Sequence, residues 1–437
     1  MSDPIGVGMI GGGTVGSGVA QLLREHAAMY ADRAGRPIEL KRVLVRDAGK
    51  PREGIDPSLL TDDAEAFFAT EGMSVVIEVA GGVEPACSYV RRAIETGRHV
   101  ITANKALLAE HGPALFGEAR QQGVSIAFEA ACAAGIPCVT ALQFGLMANQ
   151  IHGMYGILNG TCNYILTEMT RRDTTYDQAL AQAQDKGFAE ADPTLDVSGA
   201  DAGQKLAILA SLAFGVQVTG RQVALDGIDG LDLQDVRFGA ELGYDIKLLA
   251  IAECKDGTVG ASVEPCFIHN RDLLSPVVGP YNALVIEGDA VGASMLYGEG
   301  AGQMPTASAV VSDLLNVASG WYGCAFQHMR LTPDCHNPAN LATRDDLLSR
   351  FYLRINALDV PGTMAKVTDA LGEHGISLSA VLQHEDDAGQ LVPVVITTHL
   401  ARAGDVKAAI EAIKALDVVE GEPVMLRIVD MPESEGA

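Results

Sequence analysis

The opening of the chain leaves few folds available to it. Ile5-Gly6-Val7-Gly8-Met9-Ile10 is a short apolar strand. Gly11-Gly12-Gly13-Thr14-Val15-Gly16 follows as a G-x-G-x-x-G turn, and SGVAQLLREH continues with the apolar spacing of an amphipathic helix. Strand, glycine turn and helix in that order form the dinucleotide-binding fingerprint in its required context. Gly11 permits the tight turn, Gly13 lets backbone approach a pyrophosphate, and Gly16 lets helix and strand pack closely. The free N–H groups of the helix start, at Thr14 and Val15, face the anion. The competing reading is a glycine-rich turn with no ligand.

A formal charge of −25 over 437 residues makes a nucleic acid or an anionic membrane a poor partner. Phosphate must then be met by a local cluster of donors. The second strand, Leu40 to Val45, ends in Arg46-Asp47, with Lys50 and Arg52 close behind. Sites that prefer NAD usually carry a carboxylate there for the ribose 2′-hydroxyl. Arg46 and Lys50 suit a 2′-phosphate better, so NADP(H) is favoured, with Asp47 keeping NAD(H) open. Two further strands, Ser74 to Gly82 and the start of HVITANKALLAE, end at the edge where open parallel sheets bind ligands. The second places Lys105 there.

The chain is long enough for two or three domains. The start lacks a secretory pattern, and the longest uncharged window, Ala130 to Ile151, is broken by Gly135, Pro137 and Gly145. Eight cysteines without a CxxC pair suggest reduced thiols and a cytoplasmic protein.

In the middle, Glu129 is the only charge of a long apolar stretch, VSIAFEAACAAGIPCVTAL. Buried, it needs a partner, and a hydrogen-bonding loop or a bound cation would serve equally. Asn159-Gly160-Thr161 opens a helix whose free N–H groups suit a small carboxylate. The segment KGFAEADPTLDVSGADAGQKLAILASLAFG then turns from an acidic loop with Glu190, Asp192 and Asp196 into a strongly apolar helix carrying Asp201 and Lys205. Asp201 and Lys205, four apart, project to one face. The loop acids would surround an ammonium group. The bland alternative is an exposed acidic loop with a surface ion pair, although LAILASLAF is too apolar for a surface helix. Residues 240 to 300 read as short strands and turns. YGEGAGQMPTASAVVSDLL reads as a glycine loop feeding a helix from Thr306 that returns to the first domain, and WYGCAFQHMRLTPDCHNPAN reads as irregular.

GGGTVG, TANKALL, FEAACAAGIP, ILNGTCNYIL, GFAEADPTLDVSGADAGQKLAILASLAFG and GEGAGQMPTASAV stand in the order seen in homoserine dehydrogenases, which the chain resembles over nearly its whole length. The resemblance implies reversible reduction of L-aspartate 4-semialdehyde to L-homoserine with NAD(P)H. It implies Lys205 as the acid/base lysine and Lys105 as a second active-site lysine near cofactor and substrate. Glu190, Asp196, Asp201 and the Asn159-Gly160-Thr161 turn become substrate-binding, and Gly302 touches the cofactor. Glu129 with the carbonyls of Cys132, Ala134 and Ile136 holds a monovalent cation, usually sodium. Two departures stand out: Cys132 replaces a common valine, and Gly12 replaces a larger apolar residue, which would loosen the first loop.

From about residue 348 the chain reads strand, helix, strand, strand, helix, strand, a ferredoxin-like order. Asp359-Val360-Pro361-Gly362 sits between its first strand and first helix, and the segment resembles an ACT domain, a module that binds amino acids at pairwise interfaces; in homoserine dehydrogenases this implies regulation by threonine. An interface-only role is the alternative. The expected architecture is α/β: a Rossmann-type doubly wound sheet over 1–130 with 303–322 packing back on it, and an α+β catalytic and dimerisation domain over 131–330. A linker over 331–347 and an ACT domain over 348–437 complete it. ACT pairing and a buried sheet favour a homodimer or homotetramer. Two rivals remain: a semialdehyde dehydrogenase working through a cysteine thioester, and a regulatory protein that binds nucleotide and amino acid without turnover.

Overall fold

A computed structural model describes residues 3–384 and 390–431. The chain divides into two compact units. One comprises Met1–Gly160, Asp201–Val223 and Tyr281–Ala339; the other comprises Thr161–Ala200, Ala224–Pro280 and Asn340–Ala437.

The first unit contains a parallel sheet of β1 (Ile5–Ile10), β2 (Ile38–Leu44), β3 (Leu60–Thr61), β4 (Met73–Glu78), β5 (His99–Thr102) and β6 (Ile126–Ala127). Its order is β3-β2-β1-β4-β5-β6. This is the doubly wound dinucleotide-binding order, and its topological switch lies between β1 and β4. Every residue of β1 is buried, as a strand covered on both faces requires. The helix Gln303–Ala318 packs on the helix Thr14–Glu25, where a methyl at Gly18 would meet the Ala307 Cβ at 3.0 Å. In the same unit, β7 (Ile151–Ile157) pairs antiparallel with Tyr281–Gly288, which pairs antiparallel with Gly292–Glu299.

The stretch expected to be irregular is so only in part. Trp321–His328 is helical, and Arg120 ties down the residues beyond it. The Arg120 Nε donates to Asp334 Oδ2 at 2.8 Å, its Nη2 to Thr332 Oγ1 at 2.8 Å, and its Nη1 to the Phe326 carbonyl. The helix ends at His328, and Pro333 starts a 3₁₀ turn. Residues 331–347 also contain two 3₁₀ turns and a two-residue strand, Asn340–Leu341, on the strand Thr258–His269. They differ from a free linker in that respect.

In the second unit the strands are longer than expected. Tyr244–Lys255 and Thr258–His269 form a twelve-residue-per-strand hairpin. Asp256 and Gly257, with φ of 50° and 76°, make its two-residue turn, as Asp-Gly chemistry favours. Residues 348–429 fold as βαββαβ, with sheet order Val424–Val429, Leu348–Leu358, Leu391–Thr398, Leu378–Gln383. Phe351, Leu353, Ile355, Val367, Leu371, Ile396, Val406 and Ile413 fill its core. The strand Val424–Val429 also pairs in parallel with Cys266–Ile268 of the hairpin. Beside that seam, Asp235 on the helix Leu233–Glu241 accepts from Arg354 Nε at 2.6 Å, Arg354 Nη2 at 2.9 Å and the Tyr352 hydroxyl at 2.9 Å. All three are buried.

Candidate active site

The glycine turn lies at the carboxyl end of β1. Gly11 has φ +105°, closed to most side chains, and a methyl at Gly16 would stand 2.3 Å from the Gly11 carbonyl oxygen. Gly13 is exposed, with nothing within 4 Å of where its Cβ would be. Thr14 and Val15 start the helix. A cavity of about 430 Å³ opens here, lined by Gly11, Gly13, Arg46, Arg52, Ala80 and Tyr89 among others. Arg52, not Lys50, joins Arg46 at this cavity; Lys50 is exposed and lines no part of it. Gly12 sits in a tight place. It is buried, and a methyl there would meet Val45 Cγ1 at 3.0 Å. Gly302, at φ +120°, is the N-cap of the helix Gln303–Ala318.

Two lysines converge on one carboxylate. The helix Ala200–Phe214 buries Leu206, Ala207, Leu209 and Ala210, with Asp201 in its first turn, where a negative charge suits the helix dipole. Lys205 Nζ donates to Asp201 Oδ2 at 2.7 Å and to the Leu158 carbonyl at 2.7 Å. Asn159 Nδ2 donates to the same Asp201 oxygen at 3.0 Å, and Lys105 Nζ stands 3.2 Å from the other. Burial alone would raise the Asp201 pKa. The Lys205 and Lys105 ammoniums, with hydrogen bonds from Lys205 and Asn159, instead hold it down at about 2. Two ammoniums against one carboxylate leave the cluster with a positive charge, which suits a negative oxygen forming beside it. An ammonium has three donors, so Lys205 keeps one beyond the two it spends on protein.

Gly160 starts the helix Gly160–Arg172. In the second unit, Thr161 Oγ1 donates to the Phe188 carbonyl at 2.7 Å, and Asp196 lies half-buried in the short helix Thr194–Val197. Glu190 is exposed, with its carbonyl accepting from Gln184 Nε2 at 3.2 Å. Asp192 is exposed and bonds within its own turn. Its Oδ1 accepts from Thr194 N at 3.1 Å and Thr194 Oγ1 at 2.6 Å, just ahead of the short helix.

Glu129 is buried, and its carboxylate accepts from Val139 N at 2.9 Å and Thr140 N at 2.7 Å, with a third bond from Thr140 Oγ1 at 2.5 Å. Burial nevertheless pushes its pKa up. Asp313, also buried, accepts from Glu129 N at 2.9 Å. Among the described residues neither acid has a basic side chain within ion-pair distance. Between them and the next helix, Ala133 takes a left-handed φ of 47° and Cys132, Ala134 and Ile136 are buried. Two buried acids without a basic partner suit a nearby cation in charge, although the Cys132 carbonyl already accepts from Cys138 Sγ at 3.2 Å and the Ile136 carbonyl from Cys138 N at 2.7 Å. Because Glu129 spends three acceptor sites on backbone and hydroxyl donors, the carbonyls of Cys132, Ala134 and Ile136 would do most of the holding.

Two residues of this region were missed in the sequence. Asp313 is a lone charge inside the apolar helix TASAVVSDLLNVA, and Glu78 is a lone charge ending the apolar strand MSVVIE. The rule that singled out Glu129 applies equally to both.

Residues 137–315 match the family model described as homoserine dehydrogenase, residues 11–129 match its NAD binding domain, and residues 351–418 match the ACT domain. The homoserine dehydrogenase of Pseudomonas aeruginosa is 40% identical over 97% of this chain and 99% of its own. That of Synechocystis is 40% identical over the same shares. A crystal structure of a homoserine dehydrogenase from Thiobacillus denitrificans superposes with a TM-score of 0.91, at 39% identity, covering 98% of this chain and 99% of that one. With a glycine turn at the switch of a parallel sheet, an ACT-type terminal fold and relatives alike from end to end, the chain belongs to the homoserine dehydrogenase family.

Proposed function

We propose that this protein reduces L-aspartate 4-semialdehyde to L-homoserine, reversibly, with Lys205 delivering the proton and NADPH preferred over NADH. The observation that carries the reading is the Lys205–Asp201–Lys105 cluster, with Lys205 buried. The bound nicotinamide supplies hydride to the aldehyde carbon. Asp201 and the Leu158 carbonyl fix Lys205 Nζ from two sides, so its third N–H is oriented toward the substrate. That N–H stabilises the oxygen as negative charge grows and then transfers its proton. Lys105, more exposed than Lys205, is the second cation at the site and neighbours the cofactor. Asn159, Gly160 and Thr161 take the substrate carboxylate, and Glu190, Asp196 and Asp201 its ammonium side.

Gly11, Gly13, Thr14, Val15 and Gly16 hold the pyrophosphate and Gly302 the nicotinamide side. Arg46 meets the 2′-phosphate, supported by its place at the cavity. Glu129, Cys132, Ala134 and Ile136 bind a monovalent cation, most simply sodium. The domain reading of 1–130, 131–330 and 348–437 is supported by the matched segments. The terminal domain binds an amino-acid effector, threonine, and strand Gly292–Glu299, with Tyr297 54% exposed, provides a pairing edge for a homodimer or homotetramer. No helix among the described residues is long and apolar enough to cross a membrane, in keeping with a cytoplasmic enzyme.

A thioester mechanism has little support. Cys132 is fully buried and burial pushes its thiol pKa far up, so no thiolate is available beside Lys205. The test is loss of NADPH absorbance at roughly 340 nm on adding the semialdehyde. Oxidation of NADPH with homoserine as product supports the reading. Phosphate-dependent formation of an acyl phosphate would replace it with the thioester chemistry.

A further inference from the structure

Glu78 ends β4 with 0% of its surface exposed, a buried charge outside the lysine cluster. Among the described residues no basic side chain pairs with it; its partners are neutral donors. Its Oε1 accepts from Ala80 N at 2.9 Å and Gly81 N at 3.2 Å, and its Oε2 accepts from the Thr102 hydroxyl at 2.7 Å. Thr102, at the end of β5, in turn accepts from Asn104 N at 3.0 Å. Asn104 Oδ1 caps the next helix by accepting from Leu107 N at 3.1 Å, while its Nδ2 donates to the Gly82 carbonyl at 2.5 Å.

These bonds close a ring. It runs from Glu78 through the Ala80–Gly82 turn to Asn104, and back through Thr102. One side of the ring is wall of the dinucleotide cavity, which Val79, Ala80 and Gly81 line. The other side is the N-terminus of the helix Lys105–Gln121, whose first residue is Lys105. Gly81 and Gly82 both take positive φ, 74° and 77°, so the turn has little intrinsic preference for this shape and relies on what it is bonded to.

We propose that Glu78 is a positioning residue: one buried carboxylate sets the distance between the cofactor-lining turn and the root of Lys105. The proposal rests on the function given above only for the role of Lys105. Ordinary core packing does not ask for a carboxylate here, since burying one is unfavourable unless its hydrogen bonds are satisfied. The strand's other inward positions are apolar: Met73, Val75, Val76 and Ile77.

The two arms of the ring separate by mutation. Thr102→Val cuts the Lys105 arm and leaves the two turn N–H bonds to Glu78. Thr102→Ser keeps the hydroxyl and tests rescue. Glu78→Gln weakens both arms, because a neutral amide oxygen accepts less strongly than a carboxylate and the amide's other end can only donate. Expected for Thr102→Val is a fall in kcat of about tenfold with NADPH affinity within about twofold. Thr102→Ser should recover most of that rate. Glu78→Gln should lower kcat and also weaken NADPH, read by quenching of its fluorescence, by about fivefold or more. The proposal is overturned if Glu78→Gln binds NADPH like wild type, or if Thr102→Ser and Thr102→Val lose rate equally. NADPH binding is read without turnover, so a wild-type protein that reduced no semialdehyde would refute the function while leaving the Glu78 result to stand or fall by itself.

Discussion

Asp201→Asn keeps the shape of the side chain and removes its charge. Asp201 faces the Lys205 ammonium at 2.7 Å and that of Lys105 at 3.2 Å, with its side chain only 13% exposed. Its pKa stands at about 2 rather than 3.8. At about 1.4 kcal/mol for each tenfold change in proton affinity, that depression stabilises the folded state by roughly 2.5 kcal/mol once the carboxyl is ionised. A depressed carboxylate contributes in full above its unfolded pKa and loses its contribution as pH falls through the folded one. The wild type should therefore exceed Asp201→Asn by about 2 to 3 kcal/mol in urea unfolding near neutrality, with the gap closing between about pH 4 and pH 2. Turnover should fall by about a hundredfold or more, because neither ammonium is held against its neighbour, while NADPH binding persists. Equal stability at neutral pH, or a gap that stays constant down to about pH 2, would refute the assignment of Asp201 as the charged centre of the cluster.

Three further outcomes are expected. Arg354→Met strands the buried Asp235 with Tyr352 alone and should lower stability by about 3 to 5 kcal/mol in chemical unfolding, a loss below about 1 kcal/mol contradicting the ion pair's role. Arg46→Ala should weaken NADPH about tenfold in a fluorescence titration while leaving NADH within about twofold, and equal losses for both cofactors would remove the 2′-phosphate contact. Replacing sodium by choline should lower the thermal midpoint of wild type by a few degrees, and Glu129→Gln should shrink that difference; no sodium effect would argue against the cation loop.

Much of this was legible because single residues broke strong patterns. The glycine turn after an apolar strand gave the parallel sheet and its ligand edge, and the βαββαβ rhythm gave the terminal domain. Lys205 stood out as one amine in an apolar helix. The features that sequence reading missed were set by distant partners. Glu78 and Asp313 are ordinary acids until the strands and helices that bury them are assembled. Lys50 and Arg52 lie two residues apart with the same charge, and only the path of the loop decides that Arg52 reaches the cavity. The helix Trp321–His328 was hidden by its glycine and aromatic content, and Arg120, more than two hundred residues away from Asp334, secures the segment after it.

The most direct measurement is single-turnover hydride transfer in Lys205→Met with saturating NADPH and semialdehyde. Because this lysine is placed to stabilise and protonate the nascent oxygen, the rate should drop about a thousandfold while the NADPH dissociation constant stays within about twofold. Near-normal transfer, or a loss explained entirely by weaker cofactor binding, would contradict it and shift the proton to Lys105 or to water.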